Sequence, residues 1–199
     1  MVQCIYISII IQRGNVMKKI LIFLVICLIT LPIIISAAPT DKVDTSLNPT
    51  TVSLLKDQKP VLVDVDKDGT FSTVKVYFDG KAVTLNSRPF TYKGRIYLPL
   101  REVGEILGAN IGWNTPCKVA IVETSTKRLE MPQGYRKAVS FSKSNPSKAT
   151  TVSVDPASLD VRTILYMGKT YLPIRFTAES LGINVKYDEA SSSVYFTTQ

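Results

Sequence analysis

The run Asp64-Val-Asp66-Lys-Asp68-Gly69 places three carboxylates at alternate positions ahead of a glycine. A tight turn can aim such carboxylates at one hard cation, so Asp64, Asp66 and Asp68 are candidate calcium ligands. The second half of a calcium loop is missing: its twelfth position, which needs a bidentate glutamate, is Lys75. Two readings stand, a looser calcium loop between strands and a solvated hairpin turn.

Two further constellations could bind a ligand. Arg101 and Glu105 stand four residues apart on an expected helix, as do Arg175 and Glu179. They form either a twofold polar site for an anion or surface ion pairs of about 0.2–0.5 kcal/mol each. Tyr97, Tyr171, Trp113 and Tyr187 could stack on sugars or fill the core of a small sheet. No catalytic residue is identified. Histidine is absent, which removes the commonest general base and transition-metal ligand. No Ser-His-Asp triad, zinc hydrolase or histidine-bound copper centre can be built. No cofactor is expected apart from the possible calcium, and no copper. A carboxylate-based extracellular hydrolase stays as the enzymatic alternative.

The compartment follows from the N-terminal stretch. Met17-Lys18-Lys19 precedes an apolar run from Ile20 to Ile35, then Ser36-Ala37-Ala38-Pro39. Charged, apolar and small-residue regions in that order read as a signal peptide over 17–37, cleaved after Ala37. The run is shorter than the roughly 20 residues of a spanning helix. Membrane contact is therefore expected only through the signal peptide before cleavage, retention as an anchor being the alternative. Ile26 before Cys27 does not suit a lipoprotein. Residues 1–16 read as an upstream extension in front of the true start at Met17. Cys4 and Cys27 fall in this N-terminal stretch, which leaves Cys117 without a partner and the rest without an internal disulfide. The formal charge of +8 drops to +5 once Arg13, Lys18 and Lys19 are removed with the export region, which has no acidic residue. A basic exported protein lingers on polyanionic surfaces, or the charge serves only to keep it soluble. Scattered basic residues argue against nucleic acid.

The elements that must position these residues are organised around a repeat. Tyr92-Lys-Gly-Arg-Ile-Tyr-Leu-Pro-Leu-Arg101 recurs as Tyr166-Met-Gly-Lys-Thr-Tyr-Leu-Pro-Ile-Arg175. From Tyr92 to Asn110 against Tyr166 to Asn184 there are ten identities at one offset. Each copy predicts a hairpin at Gly94 or Gly168, then a strand through Tyr97-Leu98 or Tyr171-Leu172. A short helix follows from Pro99 or Pro173 to Leu107 or Leu181, ended by Gly108 or Gly182. Next come a strand from Asn110 or Asn184 and a final edge strand over Val119–Glu123 or Val194–Thr198. The fold class is α+β: antiparallel meander sheets, each packed with a short helix, in a duplicated unit. The boundaries are a flexible linker over 38–59, a first unit with a preceding hairpin over 60–126, and a second unit over 127–199. Pro60–Val65 and Thr70–Phe78 are expected to pair as a hairpin. Ala138–Phe141 and Thr150–Val154 are expected to complete the second unit.

The string from Gly94 to Ala109, Gly-Arg-Ile-Tyr-Leu-Pro-Leu-Arg-Glu-Val-Gly-Glu-Ile-Leu-Gly-Ala, resembles the copper amine oxidase N-terminal-like domain, also called the stalk domain. The stretch from Gly168 to Ile183 is similar to the same family, and the likeness runs from about Val74 to Phe196. The resemblance implies a secreted or surface module of Gram-positive-type bacteria, usually appended to other domains and without assigned catalysis. The first copy is one residue shorter between Trp113 and Val119 than the second between Tyr187 and Val194.

Together these readings predict a secreted or cell-envelope, non-catalytic module. Its expected partner is an anionic cell-wall polymer or a surface protein; the ligand itself is unspecified. A calcium-binding structural spacer is the structural alternative.

Overall fold

The computed structural model describes residues 43–158 and 160–198. The upstream stretch 1–16 and the signal peptide read over 17–37 lie outside the described residues. Among the described residues no helix is long and apolar enough to cross a membrane.

Helix α1 (Pro49–Asp57) comes first, followed by the single turn α2 (Val65–Asp68). The strands and helices of the main body are then β1 (Thr70–Phe71), β2 (Lys75–Phe78), β3 (Lys81–Val83), β4 (Phe90–Tyr92), β5 (Arg95–Pro99), α3 (Leu100–Leu107), β6 (Asn110–Asn114) and β7 (Val119–Glu123). The chain continues through β8 (Lys127–Pro132), β9 (Lys137–Ser142), β10 (Thr150–Ser153), β11 (Ile164–Tyr166), β12 (Lys169–Pro173), α4 (Ile174–Ser180), β13 (Asn184–Asp188) and β14 (Ser193–Thr197). Three sheets result, with strand orders β1-β4-β5-β12-β11, β10-β9-β8-β7-β6 and β13-β14-β2-β3. All pairings are antiparallel except β14 with β2. This is the expected α+β class.

Local chemistry explains the elements. Lys93-Gly94 and Met167-Gly168 both have positive φ at each residue. That is the backbone of the two-residue turn whose twist matches a hairpin. Helix α3 buries Leu100, Val103, Ile106 and Leu107, one stripe of an amphipathic helix. It ends at Gly108 in the left-handed conformation. α3 lies against β5, β6 and β12, while α4 lies against β5, β12 and β13. The core is therefore common to both stretches: Phe90, Tyr97, Leu98, Leu172, Leu129 and Met131 are buried in one cluster. In the central pairing Leu98 faces Leu172, Tyr97 faces Pro173 and Pro99 faces Tyr171.

Several sequence expectations are corrected. β8, β9 and β10 do not complete the second stretch; they extend the sheet begun by β6 and β7. The hairpin β2–β3 joins β13 and β14 instead. Neither β7 nor β14 is an edge strand, since each is paired on both sides. The one-residue difference in hairpin length disappears in the register, where Trp113 faces Ala120 and Tyr187 faces Val194. Ser193 thus corresponds to Val119.

The stretch read as a flexible linker holds α1, capped by the Asn48 side chain, which accepts from the Thr50 N–H. Helix α1 lies on β9 and β10 and buries Thr51 and Leu54. Pro60–Asp64 forms no strand, and Asp64–Asp68 is a helical turn rather than a hairpin turn.

The segment before α1 is clamped by charge. Arg128 donates from Nε to Glu130 (2.9 Å) and from Nη1 to the Asp44 carbonyl (2.7 Å), and also reaches the Ser46 carbonyl and Glu123. Glu130 is 0% exposed and accepts from the Asn48 N–H at 3.1 Å. Val43 sits over Gly112 and Ile121, and a Cβ on Gly112 would meet the Val43 side chain at 2.8 Å. Residues 43–57 thus form a strap over one face of the β6–β10 sheet.

Candidate functional site

A cleft of about 330 Å³ opens where the start of α4 meets β5, β13 and the segment after β10. Its apolar lining includes Ile96, Val161, Ile174, Phe176, Val185 and Val194. Its polar groups are Arg95, Asp155, Arg175, Glu179 and Tyr187.

Arg175 and Glu179 reach the cleft because Ile174, Thr177 and Ala178 turn the opposite face of α4 into the core. Both side chains are exposed, and no ion pair within 4.0 Å joins them to each other or to another described residue. The surface ion pair weighed from their spacing is not formed; the same holds for Arg101 and Glu105. At the cleft the polar groups of Arg175 and Glu179 are available to a ligand.

Arg95 and Asp155 come from distant parts of the chain. Arg95 Nη2 lies 2.7 Å from Asp155 Oδ2, whose side chain is almost wholly buried. The N–H groups of Arg95 are not aimed at Oδ2, so the contact is an ion pair rather than a directed hydrogen bond. Oδ1 accepts from the Ala157 N–H at 2.9 Å. The cleft therefore presents a half-exposed guanidinium held by a buried carboxylate, and the exposed Arg175 and Glu179, over apolar walls. That composition suits binding of an amphipathic group, with polar atoms fixing orientation.

The aromatic candidates separate. Tyr97 and Tyr171 are core residues. Tyr97 stacks on Phe90 with ring centroids 5.2 Å apart, and its hydroxyl donates to the Arg162 carbonyl at 2.9 Å. Burial drives the Tyr97 hydroxyl far above the usual tyrosine range. Trp113 is half-buried against the core. Of the four, Tyr187 alone is exposed, and it lines the cleft. An aromatic pair missed in the sequence, Tyr77 and Tyr195, stacks at 4.9 Å and 12° across the β2–β14 pairing. Alternation along each strand pointed to an outward tyrosine, but nothing local joins the two strands.

Asp64, Asp66 and Asp68 lie on and beside α2. Asp64 Oδ1 accepts from the Lys67 N–H, an N-cap bond, and Asp66 accepts from the Tyr166 hydroxyl at 2.7 Å. That bond and burial raise the Tyr166 hydroxyl above its ordinary value. Among the described residues no group of three or more His, Cys, Asp or Glu is arranged to hold a metal ion. Cys117 is exposed and free.

Compared with known proteins, the chain matches no curated protein and no solved structure. Residues 77–196 match the copper amine oxidase N-terminal domain, and that span holds β5, α3, β12, α4 and the whole cleft. With more than half of its length matched, the chain belongs to the copper amine oxidase N-terminal domain family.

Proposed function

We propose that this protein is a secreted or cell-envelope, non-catalytic module that binds an anionic cell-wall polymer or a surface protein. The observation that carries the reading is the cleft: apolar walls meet exposed Arg175 and Glu179 that no described partner engages. Groups left unpaired beside an apolar surface are what a binding site offers. The signal-peptide pattern over 17–37 and the basic balance of the remainder support an envelope setting. Membership of a family of N-terminal domains supports a module without chemistry of its own.

The stretches Tyr92–Glu123 and Tyr166–Thr197 are, on this reading, two copies of one unit. Each runs strand, two-residue turn, strand, helix, strand, strand. Exchanging the copies maps the central pairing onto itself, since Tyr97 with Pro173 becomes Tyr171 with Pro99. The test of the functional reading is sedimentation of the purified protein with isolated Gram-positive cell walls. Retention that Arg175→Ala and Glu179→Ala weaken supports it. Protein left wholly in the supernatant at low salt refutes it.

A further inference from the structure

The outer face of the β13-β14-β2-β3 sheet differs from its counterpart in a way that suggests a ligand. On the β6–β10 sheet, Ile121 of β7 is fully buried, with Val43 of the strap packed beside it over Gly112. The corresponding residue of β14, judged by register, is Tyr195. No described element covers it, and it stacks on Tyr77. Among the described residues one sheet face is thus closed by the strap, while the other carries two half-exposed aromatic rings.

The register fixes the next position along that row. Tyr77 faces Ala82 on β3, so the ring face turned away from Tyr195 overlooks only a methyl group. A groove of about 520 Å³ opens there, lined by Tyr77, Ala82, Lys75, Arg88, Asn86 and Ser72 among others. Its lining holds two cations, Lys75 and Arg88, and no acidic residue. A third cation, Lys169, donates to Ser87 Oγ (3.0 Å), another lining residue. Ser72 Oγ is out of contact with water and has no hydrogen-bond partner among the described residues. The Arg88 guanidinium lies 4.9 Å over the Phe71 ring. That contact holds the guanidinium in place, and its N–H donors suit a planar bidentate acceptor, a carboxylate.

We propose that this groove binds a glycan chain whose pyranose rings carry carboxylates. One sugar ring lies with its C–H face on the free face of Tyr77, above Ala82. The negative face of an aromatic ring attracts such polarised C–H groups. Arg88 takes the sugar carboxylate, and Lys75 and Asn86 supply further polar contacts. The stack on Tyr195 holds the Tyr77 ring upright before the ligand arrives, so little freedom is lost on binding. The proposal rests on the envelope-module reading and names its partner class.

The probe is polygalacturonate, titrated into the purified protein in affinity electrophoresis, with dextran and polyglutamate in parallel. Polygalacturonate should retard the wild type, and dextran should not. Tyr77→Ala, Arg88→Gln and Ala82→Glu should each weaken retardation at least tenfold. Ala82 is exposed, so Ala82→Glu should fold with an unchanged melting temperature while filling and repelling at the groove floor. The assignment is overturned if polygalacturonate fails to retard the wild type or if Ala82→Glu leaves retardation intact. Polyglutamate binding as tightly as polygalacturonate also overturns it, since charge alone would then suffice. Wild-type retention on cell walls without polygalacturonate binding rejects the groove and leaves the module reading. Polygalacturonate binding without wall retention does the reverse.

Discussion

Replacing Arg128 by methionine tests whether the strap is held by a buried charge network. Methionine keeps most of the apolar stem and removes the guanidinium. The guanidinium is shared among Glu130, Glu123 and the carbonyls of Asp44 and Ser46. Glu130 is 0% exposed and Glu123 8% exposed, so two carboxylates would remain in the interior with only the Asn48 N–H and the Lys143 ammonium beside them. Removing one partner of a buried pair costs about 3–5 kcal/mol, because the surviving charge is left uncompensated. For a folded part of this size that corresponds to a fall in Tm of roughly 6–20 °C. Urea melting followed by circular dichroism gives the free energy, and limited proteolysis across residues 43–57 reports release of the strap. Glu130→Gln in the Arg128→Met background should recover about 2 kcal/mol or more, since the stranded charge is gone. A loss below about 1 kcal/mol for Arg128→Met, the value of an exposed pair, would refute the reasoning.

Leu98→Ala and Leu172→Ala should each cost about 2–5 kcal/mol and shift one shared transition. Trp113 fluorescence and a label placed on β14 should report the same midpoint, and two separated midpoints would exclude a common core. Stability should hold up to about pH 10 and fall above it. Burial raises the folded-state values of Tyr97 and Tyr171, so their stabilising contribution is present below the unfolded value and lost as pH rises past it. Tyr97→Phe should cost about 1 kcal/mol at neutral pH through its lost hydrogen bond and should flatten the alkaline slope, and an unchanged slope contradicts the assignment. Millimolar calcium should leave Tm unchanged, because Asp64 and Asp66 are engaged by Lys67 and Tyr166; a rise in Tm abolished by Asp66→Ala would favour the calcium loop instead.

What the sequence made legible was local. The hairpin turns at Gly94 and Gly168, the helices after Pro99 and Pro173, and left-handed Gly108 and Gly182 depend on residues a few positions apart and appear as read, although α4 ends at Ser180, one residue early. Helix α1 was missed although Asn48-Pro49 is a helix-start signal, because its buried face consists only of Thr51 and Leu54. The turn at Asp64 was given the wrong form for a related reason. An aspartate followed by polar residues caps a helical turn as readily as it starts a hairpin, and the long-range bond from Tyr166 to Asp66 has no local trace. Half of the cleft, Arg175, Glu179 and Tyr187, was visible in the likeness of 166–184 to 92–110 and the residues just after it. The other half, Arg95 and Asp155, meets only through strand pairing.

Strand pairing also decides why the two similar stretches end with different surfaces. Each sends its last two strands away from the central sheet, and each pair must find partners for its open edge. β6 and β7 find theirs in the strands that follow, β8 to β10, and the strap then closes that sheet's face. β13 and β14 lie at the end of the described chain and recruit the hairpin β2–β3 from its start. The chain before this hairpin is already committed to the other sheet through Asn48, α1 and the bond from the Val61 N–H to the Gly134 carbonyl. No described segment covers Tyr77 and Tyr195. Among the described residues, one core thus serves both stretches while the Tyr77–Tyr195 face of the second sheet stays half-exposed beside a groove lined by Lys75 and Arg88.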